Sequence, residues 1–156
     1  MEFVLLKELK SKSLEKVYHI YLSAFSDSNF QILNKQDFED FYRMGTKIYV
    51  LMQNDIYIAY VVVMINGEIL EIISIGVNKS FQKHGYGKYL LDNLIKINKN
   101  SCKIYLEVSR TNNNAISFYK SYGFSLTGVR KQYYIIRKGV NKGEKVDALL
   151  YEYIVK

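Results

Sequence analysis

The chain contains no proline, no tryptophan, one cysteine and two histidines in 156 residues. Each shortage removes a class of chemistry. Cys102 cannot close an internal disulfide and has no metal-ligand partner at useful spacing. A thiol nucleophile needs a base beside it, and none can be placed there, so Cys102 reads as a small residue entering a strand. His19 and His84 are too isolated to argue for zinc, and no metal is expected. No apolar run reaches the roughly 18 residues of a membrane helix. The longest, Ile56 to Ile65, is interrupted by Asn66-Gly67. Met1-Glu2-Phe3-Val4 lacks the charged-then-apolar form of a signal peptide. The expectation is a cytoplasmic protein without membrane contact.

What is present describes a globular domain. Hydrophobic residues make up 49% and charged residues 24%, and the length suits one domain, 1–156, around one core. The net charge of +7 favours an acidic partner: nucleic acid, a phosphorylated cofactor or an acidic peptide. The lysines are spread along the chain and do not interleave with aromatics as on a single-strand binding platform. Direct nucleic-acid binding is therefore not expected.

Phe3-Val4-Leu5-Leu6 can form a first strand. Ser11 or Ser13 can cap a helix that places Leu14, Val17, Tyr18, Tyr21, Ala24 and Phe25 on one face, with His19 off it. Residues 26–32 read as a loop. Asn34 can cap a second helix carrying Phe38, Phe41 and Tyr42, and Gly45 can end it. Lys47 to Gln53, Ile56 to Ile65 and Glu68 to Val77 read as a meander of three strands. Its turns are Asn54-Asp55 and Asn66-Gly67, the second a type I′ candidate. A helical pattern of Tyr89, Leu90, Leu91, Leu94 and Ile95 follows. Lys103 to Arg110 alternates, with Ile104, Leu106 and Val108 on one side and Lys103, Tyr105 and Glu107 on the other. Asn112 can cap a helix with Ala115, Ile116, Tyr119 and Tyr122 on one side, and Gly123 can stop it. Phe124 to Tyr134 and Asp147 to Val155 are the last strands, around a loop from Arg137 to Lys145. The fold class is α/β (α+β): a mixed, mostly antiparallel sheet of about seven strands flanked by about four helices. One strand–helix–strand crossover makes two strands parallel.

The centre of the chain is Gln82-Lys83-His84-Gly85-Tyr86-Gly87. Two glycines between a strand and a helix let backbone N–H groups approach an anion, and the helix N-terminus adds partial positive charge. A tight turn alone would also use them. The order is not Gly-x-Gly-x-x-Gly, no Gly-Lys-Ser/Thr follows, and no ribose-binding acidic residue sits at dinucleotide spacing.

These segments resemble the GNAT superfamily of N-acetyltransferases. The resemblance rests on Ile73-Ser74-Ile75-Gly76-Val77, on Gln82 to Lys88 as an Arg/Gln-x-x-Gly-x-Gly/Ala loop, and on Asn112 to Phe124 as Asn-x-x-Ala-x-x-x-Tyr-x-x-x-Gly-Phe. Within it, the chain is most similar to the RimI-type ribosomal-protein N-terminal acetyltransferases. Leu106-Glu107-Val108, Arg110-Thr111-Asn112, Gly128-Val129-Arg130-Lys131-Gln132-Tyr133-Tyr134 and Asp147-Ala148 carry that similarity. It departs where Ile135 replaces a proline, where the following loop is longer, and where a Pro-Trp pair near the first helix is missing. Those departures lie near the acceptor site.

The resemblance implies acetyl-CoA as co-substrate and an amine acceptor, first a protein N-terminal α-amine, with a small amine or a lysine as the alternative. A non-catalytic acyl-CoA sensor is a third class. A monomer or homodimer is expected. Backbone N–H groups from Lys83 through His84, Gly85, Tyr86 and Gly87 to Lys88 would hold the pyrophosphate, with charge from Lys83, His84 and Lys88. Ile75, Gly76 and Val77 would pair with the pantetheine, Gly76 as either a bulge or a packing glycine. Glu107 would take the acceptor's proton and Tyr119 would protonate the leaving thiolate. By alternation alone Glu107 is an exposed strand residue, and by helix face Tyr119 is core. Asn112 would cap its helix and reach the cofactor arm. Tyr133 and Tyr134 would line an acceptor groove or stand as ordinary strand aromatics.

Overall fold

The computed structural model describes residues 1–26 and 33–156; the loop expected over 26–32 lies, except for Ser26, outside them. The described elements are β1 (Glu2–Leu5), α1 (Ser11–Ala24), α2 (Lys35–Arg43), β2 (Lys47–Gln53), β3 (Ile56–Asn66), β4 (Ile69–Val77), α3 (Tyr86–Ile97), β5 (Lys103–Ser109), α4 (Asn113–Tyr122), β6 (Ser125–Ile135) and β7 (Lys145–Ile154). A short 3-10 turn, Lys79–Phe81, leads into α3. The strands form one seven-stranded sheet in the order β1-β2-β3-β4-β5-β7-β6. The mixed, mostly antiparallel architecture is the one expected.

Local chemistry sets the boundaries. Asn34 caps α2 in a reciprocal box with Asp37: Asp37 N–H donates to Asn34 Oδ1, and Asn34 N–H donates to the Asp37 carboxylate. Gly45, at φ 90°, ends α2, with Gly45 N–H bonded to Tyr42 O and Thr46 N–H to Phe41 O. Neither Ser11 nor Ser13 caps α1; Lys10 occupies that position without a side-chain bond. Ile20 joins Leu14, Val17 and Tyr21 on the buried face of α1, which the sequence pattern omits. Tyr89 of α3 is exposed, whereas Leu90, Leu91 and Leu94 are buried.

The two hairpin turns exchange character. Asn54 and Asp55 both take positive φ, 51° and 63°, which is the type I′ pattern. The second turn is Gly67-Glu68, because Asn66 still pairs with Ile69. Only Gly67 has positive φ there, 60°, the pattern of a type II′ turn.

Two cores lie on opposite faces of the sheet. One packs Leu51, Val61, Leu70, Ile104, Leu106, Val108 and Tyr151 against α3 and α4. The other packs Ile48, Val50, Tyr60 and Val62 against α1 and α2 around Phe38, which is 0% exposed. Strand alternation explains both sets. The second core covers only the β2–β4 half. On that side, no described helix packs against the face of β5, β7 and β6.

Gly76 sits in this second core. A Cβ built there would lie 2.8 Å from Tyr60 Cε1 and 3.4 Å from the Ala24 Cβ. Tyr60 is fully buried and cannot swing away. Gly76→Ala is therefore expected to destabilise the fold by about 1–3 kcal/mol through overpacking. A urea denaturation midpoint unchanged from the parent would contradict this.

Candidate functional site

The site is an opening in the sheet between β4 and β5. These parallel strands pair only at Ile69–Lys103, Leu70–Ile104 and Glu71–Tyr105. Beyond that, β4 stays with β3 as far as Ala59–Val77, and β5 stays with β7 as far as Ser109–Ala148. The strands part, and their facing edges form a fork with unpaired backbone groups.

A bulge accompanies the parting. Val62 pairs with Ser74 and Val63 with Ile72, leaving Ile73 as the extra residue. The bulge lies at Ile73 and not at Gly76, whose constraint is its contact with Tyr60. It reverses the inward parity of the strand: Leu70 and Ile72 join the α3/α4 core before it, Ile75 and Val77 after it. The apolar pattern carries this break, since Leu70 and Ile72 occupy even positions while Ile75 and Val77 occupy odd ones.

At the C-terminal end of β4 the chain turns into α3. Lys83 and Gly85 adopt left-handed backbone conformations, φ 62° and 83°, and Gly85 is the N-cap of α3 without a side-chain bond. No acidic residue occupies the first turn. The N–H groups of Tyr86, Gly87 and Lys88 are those that an α-helix leaves without an internal partner. Gln82 anchors the turn by donating from Nε2 to Val77 O at 2.9 Å. Gly87 serves packing: a Cβ there would lie 3.1 Å from Phe118 Cζ, so its absence lets α4 approach α3. Lys88 lies in an ion pair with Asp92 at 2.6 Å, and Asp92 also accepts from Tyr122 Oη at 2.8 Å. Burial opposes the charge on Asp92, yet these two donors hold its carboxyl below the usual value. The turn is tied to α1, because Lys79 N–H donates to Ser23 Oγ and Ser23 Oγ bonds Asn78 Oδ1.

Glu107 and Tyr119 belong to opposite faces of the sheet. Glu107 stands on the face of β5 without helical cover; its side chain is 26% exposed and pairs with Arg130 Nη2 at 2.9 Å. Tyr119 is buried in the α3/α4 core against Phe118 and Phe124, and burial pushes its phenol well up from the usual value. Among the described residues its hydroxyl has no hydrogen-bond partner, yet no fully enclosed side-chain oxygen goes unsatisfied. The Tyr119 oxygen therefore keeps an opening to solvent. Tyr60 Oη reaches Ser74 Oγ at 2.7 Å. Its phenol is also raised, chiefly by burial, with Tyr119 close enough to contribute.

Asn112 caps α4 by accepting from Ala115 N–H at 3.2 Å, and among the described residues its amide NH₂ donates to nothing. Tyr134 is pushed up to about 12 by burial, then by the charge of Glu107 and by Tyr133. Tyr133 packs edge-on against Tyr134 at 5.2 Å and lies under Arg130 at 4.9 Å. Thus Glu107 comes together with Arg130, Tyr133 and Tyr134, while Tyr119 and Asn112 are carried by α4 and its N-cap. Ile75, Gly76 and Val77 form one edge of the fork, and Lys83 to Lys88 close its end. Arg130 was missed as the partner of Glu107. Its signal is strand register, which requires knowing that β7 lies between β5 and β6. Among the described residues, no three metal-ligating side chains gather and no helix is long and apolar enough to cross a membrane.

Comparison with known proteins identifies the family and the fold. Residues 14–124 match the model of the Acetyltransferase (GNAT) family. The chain is 39% identical over 84 residues to N-alpha-acetyltransferase 60 of Danio rerio, covering 51% of this chain and 35% of that protein. It is 38% identical over 64 residues to N-alpha-acetyltransferase RimI of Mycobacterium tuberculosis, covering 41% and 40%. It is 31% identical over 86 residues to the [ribosomal protein bS18]-alanine N-acetyltransferase of Escherichia coli, covering 54% and 58%. The matched stretches thus span between about a third and three fifths of these relatives. In fold, the crystal structure of the ribosomal-protein-S18-alanine N-acetyltransferase from Escherichia coli superposes with a TM-score of 0.81 at 22% identity, covering 99% of this chain and 95% of that one. A Bacillus subtilis acetyltransferase in complex with CoA superposes at 0.75 and 20% identity, covering 99% and 98%. GNAT acetyltransferases use acetyl-CoA. The family match spans most of the chain, from α1 through the fork to the start of β6, and the chain belongs to the GNAT acetyltransferase family.

Proposed function

We propose that the protein is an acetyl-CoA-dependent N-acetyltransferase whose acceptor is the α-amine of a protein N-terminus, a ribosomal protein first among them. The observation that carries this reading is the pair of proton-handling residues on either side of an open fork. Glu107 lies on the face that no described helix covers, and Tyr119 comes from the helical face with a hydroxyl that has no partner among the described residues. The relatives named as N-alpha-acetyltransferases support the acceptor class.

Acetyl-CoA supplies the activated acetyl group and a thiolate leaving group. The α3 N-terminus from Gly85 to Lys88 would receive its pyrophosphate, with Lys83 and His84 adding charge. The edge of β4 from Ile75 to Val77 would pair with the amide arm as another strand would. Asn112 has a donor to spare for the same arm.

An α-ammonium, with a pKa near 8, needs less help to lose its proton than a lysine near 10.4. Glu107 takes that proton, directly or through water. The amine nitrogen bonds to the acetyl carbon, the carbon–sulfur bond breaks, Tyr119 gives its proton to the departing sulfur, and the second proton lost by the nitrogen returns to the Tyr119 phenolate through solvent. Burial keeps Tyr119 protonated across the physiological range. Both roles need only direct transfer within a ternary complex, with no acetyl-enzyme. Tyr133, half-exposed beside Glu107 and Arg130, offers an aromatic surface to an acceptor peptide.

Glu107→Gln is expected to keep acetyl-CoA binding and lower turnover by about 10²-fold or more, read by free-thiol release. A full rate would remove Glu107 as the base. Tyr119→Phe should slow transfer about 10-fold or more at every pH tested; a rate equal to the parent throughout would remove the acid. Against a panel of peptides with free N-terminal Ala, Ser or Met, blocked peptides containing Lys, and polyamines, mass spectrometry should find acetyl only on free N-termini. Transfer confined to lysine or polyamine would overturn the acceptor while leaving the cofactor site intact.

A further inference from the structure

Glu107 has three rotatable bonds on a strand face that no described helix covers, yet a general base must stand within hydrogen-bond reach of the amine or of one water. Something must hold it. Strand register supplies the holder. Glu107 is opposite Leu150 on β7, and Arg130 of β6 is opposite Ala148. Opposed residues of antiparallel strands share a face, as do positions two apart, so Glu107, Leu150, Ala148 and Arg130 all point the same way. Ala148 is small, which leaves the Arg130 side chain a path across β7 to Glu107 Oε1 at 2.9 Å.

Arg130 is itself fixed from below. Between Arg130 and Tyr134, β6 carries two residues more than β7 does between Ala148 and Val146. Within this irregularity Gln132 takes φ 53°, and its N–H donates to Asp147 Oδ1 at 3.0 Å. Asp147 Oδ2 also pairs with Arg110 at 3.3 Å. The irregularity turns the Tyr133 ring back under the guanidinium, 4.9 Å from its centre. Asp147 thus fixes the backbone at Gln132, the neighbouring Tyr133 ring lies against the guanidinium, and the guanidinium meets the carboxylate. The guanidinium meets the carboxylate at Oε1, and among the described residues Oε2 accepts no hydrogen bond.

We propose that Arg130 is a positioning residue for acetyl transfer: it holds Glu107 by one oxygen so that the other is available to the acceptor amine or its water. The proposal rests on the reading of Glu107 as the base. The test compares Arg130→Met, Arg130→Lys, Glu107→Gln and the Glu107→Gln/Arg130→Met double variant in the full chain. Thiol release is measured over a range of N-terminal peptide concentrations, and thermal melts check folding. Arg130→Met is expected to lower kcat about 10-fold or more, as loss of a positioning partner does elsewhere, with the acceptor KM little changed. Arg130→Lys, which keeps the charge within reach, should recover much of that loss. The double variant should be no slower than Glu107→Gln alone, because Arg130 acts only through that carboxylate. A rise in acceptor KM at constant kcat would overturn the proposal and make Arg130 a substrate-binding residue. Multiplied losses in the double variant, or a full rate in Arg130→Met, would also overturn it. If Arg130→Met fails to fold, Arg130→Gln and its own double variant with Glu107→Gln decide by the same criteria. A full rate in Glu107→Gln would fault the base itself. A slow Glu107→Gln beside a full-rate Arg130→Met would fault only the positioning.

Discussion

The separation of β4 from β5 is the constraint on which the site depends. Two parallel strands would ordinarily continue their ladder, because unpaired backbone groups away from water are costly. Here the ladder stops after three residue pairs, each strand keeping its other neighbour for its full length. The exposed edges need a partner, and a ligand with an amide-rich arm can act as one. The extra residue at Ile73 bends β4 and shifts its inward parity, so apolar side chains still meet the α3/α4 core on both sides of the bulge. The fork is therefore compatible with a continuous core.

The glycines divide their work around this opening. Gly85 provides a left-handed backbone where α3 begins, leaving the first N–H groups of the helix facing outward. Gly87 and Gly76 provide closeness, the first to Phe118 and the second to Tyr60. A lone Gly-x-Gly can be either a turn or a cradle, and the two glycines of this one differ in function: the first is conformational and the second steric. Polar ties hold the parts in register, Ser23 joining α1 to the turn and Asp92 joining α3 to α4. None of these exposed contacts contributes much energy alone, but each fixes an element that borders the fork.

Much of the architecture was legible in local pattern. Alternation from Lys103 to Arg110 assigned Glu107 to the polar face, and the Asn34 and Asn112 caps were read at the residues that make them. The failures have physical causes. Asn-Gly favours a hairpin, but cross-strand register moved the second turn one residue on, where only Gly67 needs positive φ. Serine is a favoured cap, but α1 starts with Ser11 already inside its first turn, so Lys10 takes the N-cap and no side chain bonds there. Gly76 was open between bulge and packing because only the distant Tyr60 ring distinguishes them.

By itself the sequence determined the elements, their inward faces and the family motifs, because helix and strand periods, caps and left-handed glycines act over a few neighbouring residues. It also determined which residue types were available for proton transfer. The tertiary structure decided the rest: where β4 and β5 part, that Tyr119 keeps an open hydroxyl within a core, and that Glu107 is held by Arg130. These depend on strand order, since β7 enters the sheet between β5 and β6 although it is last in the chain. Contacts between residues 23 positions apart follow from that insertion, and no local pattern encodes it.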